Sequence, residues 1–82
     1  MQLDNPGQER RFLLRRKEIG KRVRRIREER GWTQDTLAHI SGLNRSYPYR
    51  IEEGLVDVRL STLLKISEAL EIDVVALLND DT

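Results

Sequence analysis

The order of apolar and polar residues along the chain is helical almost throughout. Between residues 10 and 30, Phe12, Ile19, Val23 and Ile26 recur at spacings of seven, four and three. That spacing predicts a helix with an apolar stripe beneath a basic face. Gly20 falls inside the stripe and weakens the case for one unbroken helix. Asn5-Pro6 could open the helix early, with Asn5 as cap and Pro6 at the first helical position; otherwise the first nine residues read as a loose tail. Gly31 stops the helix. Thr33 is suited to cap a second helix over 34–41, with Trp32 placed to pack on Leu37 four residues past the cap. That helix should bury Leu37, Ala38 and all or part of Ile40. Gly42 breaks it, Asn44 caps a third helix over 45–53, and Gly54 ends that one. After a loop through Arg59, residues 60–70 carry Leu60, Leu63, Leu64, Ile66 and Leu70 as a fourth helix. Asp73 caps a last helix over 74–79 with Val74, Val75, Leu77 and Leu78. No segment reads as a strand. The expectation is an all-α fold of five short helices. Residues 1–15 are an N-terminal extension, partly disordered or extending the first helix; 16–79 form one domain, and 80–82 an acidic tail.

Composition narrows the class. The 82 residues are 38% apolar, enough for one modest core. A single core of this size is marginal, and pairing with a second copy would help it. There is no cysteine and one histidine, so disulfides, thiolate metal sites and zinc sites of the usual ligand number are excluded. No metal or cofactor is expected. His39 reads as an ordinary surface residue, and the acids Glu68, Glu71, Asp73, Asp80 and Asp81 as a solvated face. No apolar run approaches the length needed to cross a bilayer. A small secreted domain would usually carry disulfide staples, so the cytoplasm is expected, and no signal peptide is visible. There is no phosphate-cradling glycine loop and no catalytic triad, so an enzyme is disfavoured.

Charge changes the picture more. The formal net charge is +1, but residues 10–30 hold eleven Lys or Arg against three Glu, a local +8. Residues 31–82 hold four basic and nine acidic groups. A basic block ahead of an acidic remainder suggests a polyanion as partner for one surface. Two short helices joined by Ser41-Gly42-Leu43-Asn44 make a helix-turn-helix over about 34–53, the arrangement that places its second helix in the major groove of DNA. On that second helix Arg45, Ser46, Tyr49 and Arg50 are the exposed positions. Arginine's planar fork matches guanine O6 and N7 with two parallel hydrogen bonds. These four are the candidate base readers.

The residues that carry this pattern resemble a known family, the Cro/CI-type, XRE-like or lambda-repressor-like DNA-binding domains. The likeness covers about Ile19 to Leu78. It rests on Ile19-Gly20-Lys21-Arg22-Val23-Arg24-Arg25-Ile26-Arg27, Gly31-Trp32-Thr33-Gln34, Leu37-Ala38, Ser41-Gly42-Leu43, Ile51-Glu52-Glu53-Gly54 and 63–70. Arg45-Ser46-Tyr47 is also similar to a motif of restriction–modification controller proteins. The resemblance implies a compact five-helix domain that binds a two-fold symmetric double-stranded operator as a homodimeric transcriptional regulator. It implies phosphate contacts from Gln34, Asn44, Tyr47, Lys21, Arg22 and Thr33. It implies a structural salt bridge between Arg27 and Glu52, and a dimer seam at Val74, Leu77 and Leu78. Three features depart from the pattern. Pro48 stands where Ile or Val is usual, the loop at 55–58 is apolar where it is usually basic, and Glu71 replaces a glycine. Two other readings remain open: an interaction module that docks a protein on the apolar loop, and a basic amphipathic membrane binder using Phe12, Leu13 and Leu14.

Overall fold

The computed structural model describes residues 5–79. The acidic tail at 80–82 and residues 1–4 lie outside them. Helix α1 runs Pro6–Glu29, α2 Gln34–Ser41, α3 Tyr47–Glu52, α4 Leu60–Leu70 and α5 Val75–Leu78. There is no strand among the described residues.

Helix α1 is unbroken over 24 residues. Asn5 caps it by accepting from the Gln8 N–H at 3.0 Å, and Pro6 sits in its first turn. At about 1.5 Å per residue the helix is some 36 Å long, and it outruns the core. Phe12, expected in the buried stripe, is therefore 56% exposed. The stripe it belongs to continues past the end of the globule.

The passage through Gly20 has a packing reason. A Cβ on Gly20 would lie 2.6 Å from the Glu52 carbonyl oxygen and 2.8 Å from its carbon. The glycine lets the backbones of α1 and α3 touch. The core forms where α1 meets α3 and α5 and where α2 meets α3 and α4. Val23, Ile26, Leu37, Ile51, Leu63, Ile66, Leu70 and Leu77 fill it. Ile40 lies half in water, and Ser41 takes the buried place at the end of α2. In α4, Leu60 and Leu64 face outward.

The first four helices end alike. In each, an N–H two or three residues beyond the helical run reaches back to a carbonyl five residues earlier: Trp32 to Arg27, Leu43 to Ala38, Leu55 to Arg50, and Ile72 to Ser67. The residue just before that donor must take a left-handed conformation. Gly31, Gly42 and Gly54 do so at φ near +70°, whereas α4 uses Glu71 at φ 58°. Arg30 donates to the Leu70 carbonyl at 2.7 Å, satisfying a carbonyl that the helix end leaves open.

Helix α3 is shorter than the sequence pattern suggests. It starts at Tyr47 rather than at residue 45, because Pro48 has no N–H to offer a carbonyl four residues back. With the start moved, Pro48 occupies the first turn, where that N–H has no helical partner anyway. Asn44 is correspondingly not a helix cap. Its Oδ1 accepts from the Ser46 N–H at 3.3 Å and from Ser46 Oγ at 3.4 Å, closing the turn instead. At the other end, Asp73 accepts from the Val75 N–H at 2.9 Å and starts α5.

Candidate nucleic-acid interface

Helix α2 is placed first. Thr33 Oγ1 accepts from the Thr36 N–H at 3.1 Å, and Leu37 and Ala38 anchor the helix in the core. The turn through Gly42 then brings the segment at 44–46 and α3 beside the start of α2.

A buried polar chain locks this corner. Arg27 on α1 meets Glu52 on α3 through two bonds, Nε to Oε2 at 2.7 Å and an Nη to Oε1 at 3.0 Å. A third Arg27 N–H donates to the Trp32 carbonyl at 2.6 Å. Gln34 Nε2, at the start of α2, donates to the same Glu52 carboxylate at 3.1 Å. One carboxylate thus joins α1, α2 and α3, with its side chain fully enclosed. The Arg27 pKa is raised, first by its hydrogen bond to Glu52, with burial opposing. A group raised in the folded state contributes at every pH below arginine's ordinary value. Arg27 therefore keeps its charge across the whole neutral range, and its side of the lock is lost only in strong alkali. Gln34 is committed to this lock, so its amide buttresses α3 in addition to any contact it makes outside.

On the outer side an open depression is lined by Gln34 and Asp35 of α2, by Asn44, Arg45 and Ser46 of the turn, and by Tyr49, Arg50 and Leu55. All four candidate base readers are brought together here. Tyr49 and Arg50 project from α3, while Arg45 and Ser46 belong to the turn. Arg45 is not loose. Its Nε donates to Asp35 Oδ1 at 3.2 Å, and an Nη lies 3.0 Å from Oδ2. Both partners face water, at 84% and 59% side-chain exposure. An exposed pair of this kind adds at most about 1 kcal/mol to folding. Asp35 and Leu55 were missed as members of this surface. Asp35 reads in the sequence as an ordinary acid in a helix's first turn; only the turn's geometry reveals that Arg45 lies across from it.

The other expected residues divide. Thr33 and Asn44 are exposed near the depression, and Tyr47 is half-buried against the core. Lys21 is exposed but borders a separate hollow with Lys17, Arg24, Glu52 and Glu53. Arg22 is corrected: it is buried, its Nη groups meet the Leu77 carbonyl at 3.4 Å and Glu18 at 3.5 Å, and it serves α1–α5 packing. Leu77 is corrected too. It is fully enclosed in the chain's own core and has nothing to offer a mate, whereas Val74 and Leu78 are half-buried and Val75 is 56% exposed. In the loop, Val56 and Val58 pack on the core, leaving Leu55 as the exposed apolar side chain. Among the described residues no group of three or more His, Asp or Glu could hold a metal ion, and no helix is long and apolar enough to cross a membrane.

Comparison with known proteins agrees with this geometry. The immunity repressor protein of Bacillus phage phi105 is 41% identical over 64 residues, which span 78% of this chain and 44% of that protein. The HTH-type transcriptional regulator SinR of Bacillus licheniformis is 35% identical over 63 residues, 76% of this chain and 57% of that protein. The chain thus spans about half the length of these two relatives. Among solved structures, the restriction-modification controller protein C.AhdI from Aeromonas hydrophila superposes with a TM-score of 0.74 at 40% identity, covering 76% of this chain and 94% of that one. The HTH_3 helix-turn-helix family model matches residues 23–77, most of the chain. With its five helices and its paired α2 and α3, the chain has the DNA-binding fold of XRE-like transcriptional regulators and belongs to the HTH_3 family.

Proposed function

We propose that the protein is a sequence-specific double-stranded-DNA binder and works as a homodimeric transcriptional regulator. The observation that carries this reading is the convergence of two exposed guanidinium forks, Arg45 and Arg50, with Ser46 and Tyr49 on one open face beside the start of α2. Helix α3 and the turn before it enter the major groove. Arg45 and Arg50 take guanine edges, and Ser46 and Tyr49 take neighbouring positions. Thr33, Gln34, Asn44 and Tyr47 border this face and suit phosphate contacts that fix register. Lys21 adds a cation from α1.

Dimerisation follows the outer side of α5, where Val74, Val75 and Leu78 supply apolar surface, with Leu77 behind them as support. A two-fold protein reads a two-fold operator, its half-sites about 34 Å apart along one face of the duplex. Such a regulator belongs in the cytoplasm, with the DNA it controls. The phage repressor and the SinR regulator, similar over this domain, support the regulatory part of the reading.

Selection from a random duplex pool, followed by gel-shift titration, tests it. The selected sequences should show a two-fold symmetric motif. Replacing Arg45 or Arg50 by Ala should cost about 1–3 kcal/mol and relax preference at one base pair. Gln34→Ala should weaken all duplexes about equally. If both arginine variants bind the selected duplex as tightly as wild type, the mechanism is wrong.

A further inference from the structure

We propose that Asp35 is a positioning residue for base recognition. Its carboxylate grips one edge of the Arg45 guanidinium so that the opposite edge is presented to a guanine. The proposal rests on the reading of Arg45 as a major-groove contact.

A guanidinium carries five N–H groups in one plane. The contact with Asp35 runs through Nε and one Nη, at 3.2 and 3.0 Å. It uses the Nε–H and one hydrogen of that Nη. The second hydrogen on that Nη and both on the other remain; one from each Nη forms the end-on edge of the fork. That edge has the spacing that guanine O6 and N7 accept. The clamp therefore leaves the reading edge intact.

What Asp35 contributes is order. Arg45 sits in a turn, outside α3 and 84% exposed. A long side chain there has many rotamers to lose when it docks on a base. Asp35 stands on a fixed support: α2 is capped by Thr33 and anchored through Leu37 and Ala38, and its first turn favours a negative charge. Holding the fork before DNA arrives removes part of the ordering cost from the specific complex. The same carboxylate repels phosphates and so disfavours loose binding to any duplex. Asp35 thus sharpens discrimination while lowering general affinity. A purely structural role would move both in the same direction.

The test uses the full chain and duplexes selected by the wild-type protein. Affinities for every single-base substitution are measured for wild type, Arg45→Ala, Asp35→Asn and Asp35→Glu, with melting temperatures alongside. Arg45→Ala should flatten preference at one base pair. Asp35→Asn should reduce the preference for guanine at that same pair by about threefold to tenfold, the factor expected for ordering one rotamer-rich side chain. It should leave other positions unchanged, and its affinity for an unselected duplex should be equal or higher. Asp35→Glu, which keeps the charge, should restore part of the loss. Three results would overturn the proposal: Asp35→Asn keeping full discrimination at the Arg45 position, losing it at a different base pair, or losing affinity for all duplexes alike. If Arg45→Ala itself leaves the profile unchanged, the reading of Arg45 as a base contact fails and the proposal falls with it. The two failures are told apart by the arginine variant.

Discussion

Replacing Gly20 by Ala separates two opposed effects. Taken as a helix alone, α1 should gain: alanine is about 1 kcal/mol better than glycine inside a helix. The tertiary structure reverses the sign. The new Cβ would stand 2.6 Å from the Glu52 carbonyl oxygen and 2.8 Å from its carbon, with the Ile51 carbonyl closer still. These neighbours are backbone, so no side chain can swing away. Helices α1 and α3 must move apart by several tenths of an ångström or more. Overpacking of this kind costs about 1–3 kcal/mol. The Arg27–Glu52 bonds at 2.7 and 3.0 Å span the same two helices and lengthen with them. A net loss of about 2 kcal/mol follows, since the upper end of the overpacking range outweighs the propensity gain. For a domain of this size that lowers the melting temperature by about 8–16 °C. Thermal melts by circular dichroism measure it, with Arg24→Ala on the exposed face of α1 as a control within about 0.5 kcal/mol of wild type. A Gly20→Ala protein that is more stable than wild type by the propensity difference would refute the close-approach argument.

Removing Glu52 by an alanine substitution leaves the buried Arg27 guanidinium unpaired, so urea denaturation should show a loss of about 3–5 kcal/mol; the double variant Arg27→Met/Glu52→Leu should recover most of it. Glu71→Gly relieves a side chain from the left-handed position at φ 58° and should raise stability by about 1 kcal/mol, read as a higher melting temperature. At α5, Val75→Glu should weaken self-association in sedimentation experiments while the monomer stays folded. Leu77→Glu, in the core, should abolish the folded circular dichroism signal, because an unpaired charge cannot be buried there.

The elements most legible in the sequence were those whose ends carry their own local chemistry. Helix α2 is bracketed by Thr33 and Gly42 and α4 ends at Leu70, so both run as their spacing predicts. Each boundary is set by bonds within five residues. Features that depend on distant contacts were harder to read. Gly20 looked like a possible break because its reason lies on α3. Phe12 looked buried because periodicity reports which face a residue is on and says nothing of where the core stops. Leu77 and Leu78 were equivalent in the pattern; only the packing of α5 on α1 separates an enclosed side chain from a half-buried one. Arg22 has the sequence signature of one more surface cation, and only the fold sets the Leu77 carbonyl beside it. Asp35 and Arg45 are ten residues apart, and nothing in either position announces the other.

Pro48 links the part of the interface that could be read to the part that could not. Its missing N–H shows in the sequence as a defect in the third helix. In the structure that defect moves the helix start to Tyr47 and leaves residues 45 and 46 in the turn. Within a helix beginning at residue 45, Arg45 would take its direction from the helix axis. In the turn it takes its direction from Asp35 on the neighbouring helix. The backbone constraint and the carboxylate clamp are thus complementary. The proline removes helical control over one fork, and α2 replaces it with a charge-assisted grip. Arg50 lies within α3 and has its direction set by the helix. The two forks are therefore aimed by different devices, and substitutions at Asp35 and at Pro48 should disturb the first of them while leaving the second in place.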